Sequence, residues 1–587
     1  MSLQEDHGCA IEMQRRSTSG MSYHQTFIAM LHGTVFGFTS NWDPLVEHVL
    51  GCEAARPSAQ PGCAAYLILI TDITTIIKHQ FVARLSISIM CLIATVMLLH
   101  SQHVVAAVWS TTPSLNLKET YSDNVALAPP GSERSDWITE INPGITSTGT
   151  GSHLNVHLTY IMQNLFYAKD SSQSKTNHLL GAGANAELVD EFLFLDGNAS
   201  ISQQNVSLFG PQAADNTNIT GNRTRVTTYS ISPYLRHSFG SIASSELRYT
   251  HNEVRTGVSG LSNSKGDGAL FNLNSGPAFS RVGWGLHYNK QKTGYSNSPT
   301  VDTETSSANL GFSITPKFRL MATKGYEKYN YLSISGEPPE GHFWSAGFSW
   351  TPTARTSIDA SSGNRFFGKT HSLIASHRSR NTVWNLNYSE DITTTQSQFL
   401  VPATITMDLA AICAAQHPND PAWCQQFFLQ TGFPPTLSNA VNYFTNQFFL
   451  QKQLQASVAL NSAKSSLTLS AFKTLREAQT ALTIDSLLLG SSNLTLYDNT
   501  EQIGGGALWS WHFSPLTNIH ATTGYVKSRS ITTGITNDNR TMGLGMTRQF
   551  RPKVNGSVDL RRNQQYSNQI GGGYQENAVT ASLLMQF

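Results

Sequence analysis

The chain has 587 residues, of which only 13% are charged, about half the share usual in a globular protein. Net charge is +1 and mean hydropathy −0.22, so a nucleic-acid partner is not expected and the chain is not a bundle of apolar helices. Ser, Thr, Asn, Gln and Gly supply the polarity, a balance that arises when half of every strand faces lipid and half faces water.

Residues 1–77 show no clear pattern and read as an upstream extension, outside the fold. Lys78, His79 and Arg84 then form a basic stretch, Leu85 to Leu99 an apolar one, and Val105-Ala106-Ala107 a small-residue cleavage pattern. Together they predict a secretory signal over 78–107, cut after Ala107; the apolar run, about 15 residues, is short for a transmembrane helix. Of six cysteines, export leaves Cys413 and Cys424. Two thiols so spaced in an exported chain predict a disulfide, and His417 between them does not complete a tetrahedral metal set.

From Ser114 onward the pattern has period two. HLNVHLTY sets Leu154, Val156, Leu158 and Tyr160 against His153, Asn155, His157 and Thr159. WGLHYNKQ sets Trp284, Leu286 and Tyr288 against Gly285, His287 and Asn289. WSAGFSW sets Trp344, Ala346, Phe348 and Trp350 against small polar residues, and WNLNY sets Trp384, Leu386 and Tyr388 against two asparagines. Trp509, Trp511 and Phe513 share a face further on. Aromatics at the ends of apolar rows are the pattern of membrane girdles; a soluble sandwich would carry more charge outside and fewer tryptophans within. Connections alternate long and short, with long ones at 122–134, 206–222, 252–266, 293–302, 391–447, 481–501, 529–538 and 563–575. Short turns fall near 149–152, 189–192, 239–242, 351–354, 461–465, 514–518 and 551–554.

The stretch 391–447 contains MDLAAICAAQ, of helical propensity, and a turn before Cys424. Pinned by the disulfide, it is expected to fold over or into the pore and narrow it, an external cap being the alternative. The last residues, NAVTASLLMQF, set Val579, Ala581, Leu583, Met585 and Phe587 on one face. They read as the closing strand, with Phe587 in the girdle.

Three stretches carry a resemblance: SLNLKETYSDNVALAPPGSERSDWITEINPGI (114–145), LFYAKD (165–170) and LLGAGANAELVDEFLFLDGNASISQQNVSLFGP (179–211). They resemble the PEP-CTERM system-associated outer membrane proteins, which are encoded beside exosortase and exopolysaccharide genes in Gram-negative bacteria. The resemblance implies location and pathway, and it brings no catalytic residues.

Chemical motifs are sparse. His153 and His157, if on one strand, lie about 13 Å apart, too far to share a metal. The glycines at 504–506 and 571–573 are followed by neither lysine nor helix, so they are not phosphate loops, and flexibility near strand ends accounts for them. The reading is therefore of a transmembrane antiparallel β-barrel of about 22 strands, between about 18 and 26. It is expected to occupy 108–587 in the outer membrane of a Gram-negative bacterium, with both termini periplasmic. No enzyme, cofactor or metal is expected. Expected partners are outer-membrane lipid, the barrel-assembly machinery, and exopolysaccharide or periplasmic export components. A pore or surface-assembly component is the leading role, with a general diffusion porin and a non-conducting scaffold as alternatives. Strands that begin soon after the cleavage site leave no room for an N-terminal plug, so plugged, energy-coupled uptake is not expected.

Overall fold

The computed structural model describes residues 107–257, 263–296, 299–334, 336–337, 339–400, 447–480 and 499–587. Extension 1–77, the signal up to residue 106 including Val105, and the Cys413–Cys424 segment lie outside the described residues.

The described chain is one closed sheet of 22 antiparallel strands. In order these are β1 (Val108–Ser122), β2 (Asp136–Thr150), β3 (Leu154–Tyr167), β4 (Lys175–Val189), β5 (Leu193–Asn205) and β6 (Arg223–Phe239). Next come β7 (Ala243–Thr256), β8 (Ser264–Ser275), β9 (Val282–Tyr295), β10 (Val301–Thr315), β11 (Phe318–Tyr329) and β12 (Glu340–Thr353). Then follow β13 (Thr356–Arg365), β14 (Gly368–Arg378), β15 (Thr382–Thr393), β16 (Phe449–Asn461) and β17 (Ser465–Ala478). The last five are β18 (Asn499–Ser514), β19 (Thr517–Ser530), β20 (Thr536–Arg551), β21 (Val554–Ser567) and β22 (Tyr574–Gln586). Each strand pairs with its sequence neighbours, and β22 returns to β1 in a register running from Ser114 opposite Gln586 to Ser122 opposite Ala578. Closure is physically required. An unpaired backbone N–H or C=O facing hydrocarbon costs several kcal/mol, so an open edge cannot stand in lipid.

The barrel has two unlike ends. At one, pairs of strands join through tight turns such as 316–317, 354–355, 515–516 and 552–553. Several strands take a register shift just before such a turn, as at Gln549/Arg551, and Lys553 there adopts a positive φ of 70°. A left-handed residue after a bulge brings the chain round without splaying the twisted strands. At the other end lie the longer connections 123–135, 206–222, 330–339, 394–448 and 479–498, although β13 and β14 join there through residues 366–367 alone. The start of β1 and the end of β22 both lie at the short-turn end: Phe587 donates its N–H to the Pro113 carbonyl.

Alternation sorts the side chains as the sequence predicts. Outward lie Trp284, Leu286 and Tyr288; Trp344 and Trp350; Trp384 and Tyr388; and Trp509, which stacks on Trp511 at 6.0 Å. Trp344 is 55% exposed and Trp384 51%, within contiguous outward apolar rows of the kind that meets an apolar solvent. On β22 the outward row is Val579, Ala581, Leu583, Met585 and Phe587. At about 3.3 Å per residue that row runs about 26 Å along a tilted strand, which matches an apolar band of about 25 Å or slightly less. Toward the long-loop end the band stops at a row of tyrosines bonded to carboxylates. Tyr249 donates to Asp267 at 2.6 Å and Tyr288 to Glu304 at 3.1 Å, and Tyr229 and Tyr388 donate to Glu253 and Glu390. Lysine–carboxylate pairs, Lys290–Glu304 and Lys328–Glu340, lie at the same level. These mark where hydrocarbon gives way to water.

The fold corrects several sequence expectations. The first strand begins at Val108 rather than Ser114, and connections at 168–174 and 330–339 were not anticipated. Gly504 to Gly506 sit in the middle of β18, not near its end. A Cβ on Gly504 would lie 2.6 Å from both the Phe472 ring and the Tyr525 carbonyl oxygen, so the missing side chain makes room for a packed aromatic. His153 is in the turn before β3 and not on it, because its carbonyl accepts the Glu187 N–H there.

Candidate functional site: two segments folded into the lumen

The inner face is largely neutral. Asn155, His157 and Thr159 on β3, Ser345 and Ser349 on β12, and Asn385 and Asn387 on β15 alternate with the outward rows. Hydroxyls and amides bond across strands, as between Ser361 and Ser372 (2.7 Å) and between His287 and Asn272 (2.7 Å).

Near the long-loop end two segments turn inward. The first is the β5–β6 connection, 206–222. It is stapled internally: the Gln212 side-chain amide donates to the carbonyls of Ser207, Leu208 and Gly210, and Asn222 donates to those of Ser207 and Pro211. A polar loop that satisfies its own backbone in this way is a compact unit rather than a loose tether. It docks on the inner wall around the β1–β22 seam. Asn216 donates to Gln163 at 2.7 Å, and Tyr167 and Tyr574 donate to the Thr217 and Gln212 carbonyls at 2.8 and 2.7 Å. Ile219 donates its N–H to the Val125 carbonyl and packs on the apolar patch of Val125, Ile138, Leu165 and Tyr167.

At the centre of this contact is Glu576 on β22, fully buried. Its carboxylate accepts from Ser122 (2.9 Å), Asn218 (2.7 Å), Arg561 (3.0 Å) and Asn563 (2.9 Å). Arg561 on β21 also pairs with Asp215 of the loop, so one guanidinium ties the loop carboxylate to the wall carboxylate. Burial pushes the Asp215 carboxyl up, but the Arg561 charge and the Thr217 hydrogen bonds outweigh it, holding it well below the ordinary carboxylate range. A charge removed from water in this manner is stable only while fully partnered.

The second segment begins the β15–β16 connection: a short helix, α1 (Thr395–Leu400). Gln398 is held by Arg476 of β17 at 3.0 Å and donates to Gln451 of β16 at 2.7 Å. Phe399 and Leu400 meanwhile pack against Val226 of β6 and Val254 of β7, on a distant part of the sheet. The helix therefore bridges two separate walls across the lumen. Beside it Tyr331 stacks on Phe448 at 4.6 Å, and Val301 joins them. The connection starts at Thr394 rather than Asp391, because residues 391–393 belong to β15, and its described ends, 394–400 and 447–448, pack on inward-facing residues; the disulfide candidates lie outside the described residues.

The remaining predicted positions are dispersed. The aromatic positions face outward, and Ala107 lies just before β1. His153 joins Glu187 (3.2 Å) and Asp190 (3.6 Å) in a clasp between two short turns, with ligand-type atoms within 4.8 Å of one another. His157, on β3, lies outside this clasp and within 3.5 Å of the Thr159 hydroxyl. Sequence reasoning found connection 206–222 but missed its docking. The only local signal was its density of amide side chains, and its partners lie about 50 residues away or, as with Glu576, Asn537 and Arg561, more than 300.

No protein-family profile and no curated protein sequence matches the chain. Among solved structures it is similar to the siderophore receptor PirA from Pseudomonas aeruginosa, at 11% identity and TM-score 0.42, over 81% of this chain and 80% of that one. The FrpB iron transporter from Neisseria meningitidis aligns at 10% identity and TM-score 0.46, over 81% and 83%. PirA from Acinetobacter baumannii aligns at 8% identity and TM-score 0.41, over 83% and 81%. The class of this protein follows from its own closed sheet, lipid-facing rows and girdle: it is an outer-membrane β-barrel.

Proposed function

We propose that the protein is a gated polar pore in the outer membrane of a Gram-negative bacterium, serving passage or surface assembly of exopolysaccharide or of sorted protein linked to it. Both termini of the barrel chain then face the periplasm with the short turns. The observation that carries this reading is the lumen wall: hydroxyl, amide and imidazole side chains predominate, and many of its charges are held in paired sets, as Arg561 with Asp215 and Glu576, Arg365 with Glu327, and Arg248 with Asp196 and Glu246. Such a wall exchanges hydrogen bonds with a hydrated, uncharged polymer without selecting by charge, as rings of one sign would. The PEP-CTERM resemblance over the first hundred or so residues after the signal supplies the pathway. A second reading, a non-conducting scaffold, is favoured by α1, which bridges the lumen. Deletion of the gene with measurement of surface polysaccharide, beside planar-bilayer conductance of the purified barrel, separates them. The proposal requires lost polymer and measurable conductance. A silent bilayer with lost polymer selects the scaffold, and unchanged polymer with size-dependent solute leak selects a diffusion porin.

A further inference from the structure

The outer wall of the barrel is not uniform. Across β13 to β17 the outward row is built of small and branched residues: Ile358, Ala375, Leu386, Ala456, Val458, Leu469 and Ala471. Beside β12, whose outward row carries Phe348 and Trp350 at this depth, three alanines leave a recess of about 450 Å³, walled on one side by Trp384. The recess faces the bilayer, so only an apolar chain can occupy it stably.

Its short-turn end is polar. Thr356 and His377 line it there, hydrogen-bonded to each other at 2.9 Å, and the Trp384 indole N–H donates to Thr382 at 3.1 Å, toward the interface. Directly beyond come three successive turns carrying four exposed cations: Arg355, Arg378, Arg380 and Lys464. The turns are tied together, Arg378 donating its N–H to the Arg355 carbonyl (2.8 Å) and Asn461 to that of Asn381 (2.7 Å). Several cations elsewhere on the barrel are neutralised by carboxylates, Arg365 by Glu327 and Asp391, Lys452 by Glu477, and Arg561 by Asp215 and Glu576. None of these four is ion-paired to a described residue.

An apolar slot on the lipid face, ending at a polar rim under uncompensated positive charge, is complementary to one kind of molecule: an amphiphile with an acyl chain and an anionic head. We propose that β13–β17 and their short turns form a binding site for an anionic phospholipid of the adjacent leaflet. One acyl chain fills the recess beside Trp384, and the phosphate lies among Arg355, Arg378 and Arg380. A protein partner fits less well, since the recess opens into hydrocarbon and not into water. Charged headgroups near clustered Lys and Arg are attracted over about a Debye length, so the site gathers such lipids from the surrounding leaflet.

The test uses the purified barrel in detergent, exposed to equimolar phosphatidylglycerol and phosphatidylcholine of identical chains, with bound lipid counted by native mass spectrometry. The wild type is expected to retain phosphatidylglycerol at least tenfold over phosphatidylcholine. The combined variant Arg355→Ser, Arg378→Ser, Arg380→Ser is expected to lose that preference. Ala456→Phe, which fills the recess, is expected to lower retention of both lipids. Heat-modifiable gel migration confirms that each variant is folded, and the wild-type comparison decides alone if one is not. Equal retention of the two lipids by the wild type, or an undiminished preference in the triple variant, overturns the proposal.

Discussion

Arg561→Ala is the sharpest perturbation of the inner loop. The guanidinium joins Asp215 of the loop to Glu576 of the wall, and Glu576 has no exposed side-chain surface while Arg561 and Asp215 keep about a fifth to a quarter of theirs. Removing one member of a buried ionic set leaves the others uncompensated, which costs about 3–5 kcal/mol when all are enclosed. The partial exposure of Asp215 places this case near about 3 kcal/mol. At about 1.4 kcal/mol per factor of ten, undocking of 206–222 becomes about a hundredfold more frequent. The barrel itself persists, because its ladder hydrogen bonds and lipid-facing rows are untouched. Hydrogen–deuterium exchange of the folded protein reads this directly: peptides covering 206–222 should exchange about a hundredfold faster in the variant, while β8 to β12 keep wild-type rates. Unchanged exchange in 206–222 would refute the argument that this network holds the loop.

Other consequences follow from the same geometry. Ala581→Arg puts a charge on the lipid side of β22 at mid-height and should cost about 2–4 kcal/mol, whereas Ser582→Arg, one residue on and facing the lumen, should cost far less; urea midpoints in lipid vesicles check the difference. The depressed Asp215 carboxyl contributes docking stability that is fully present above its unfolded value, about 3.9, and is lost only as pH falls through its lower folded value. Exchange protection of 206–222 should therefore be the same at about pH 7 and about pH 5, and loss of protection at pH 5 counts against the assignment. Cys413 and Cys424 are expected to be joined, so the exported protein should resist thiol alkylation until reduced; two labels without reductant would exclude the bridge.

What the sequence made legible depended on range. Outward rows such as Trp284–Leu286–Tyr288 are local, since period-two alternation is imposed by strand geometry on adjacent residues, and the closed 22-stranded sheet follows from repeating it. Turn positions were legible for the same reason, in residues such as Gly240 with its positive φ. The inner loop was not. Asn218 meets Glu576 across 358 positions, and nothing in either neighbourhood distinguishes a docked asparagine from a solvated one. The same holds for α1, whose Phe399 and Leu400 reach strands β6 and β7. His153 misled for a simpler cause: one residue of boundary error moved it from turn to strand.

The central claim is that the aromatic rows touch hydrocarbon. Fluorescence of the barrel in vesicles of brominated phospholipid tests it, since bromine quenches only tryptophans in contact with acyl chains. Strong quenching is predicted, falling when Trp344, Trp350, Trp384 and Trp509 are replaced by phenylalanine. Emission unchanged by brominated lipid, with the protein remaining soluble when detergent is withdrawn, would contradict it.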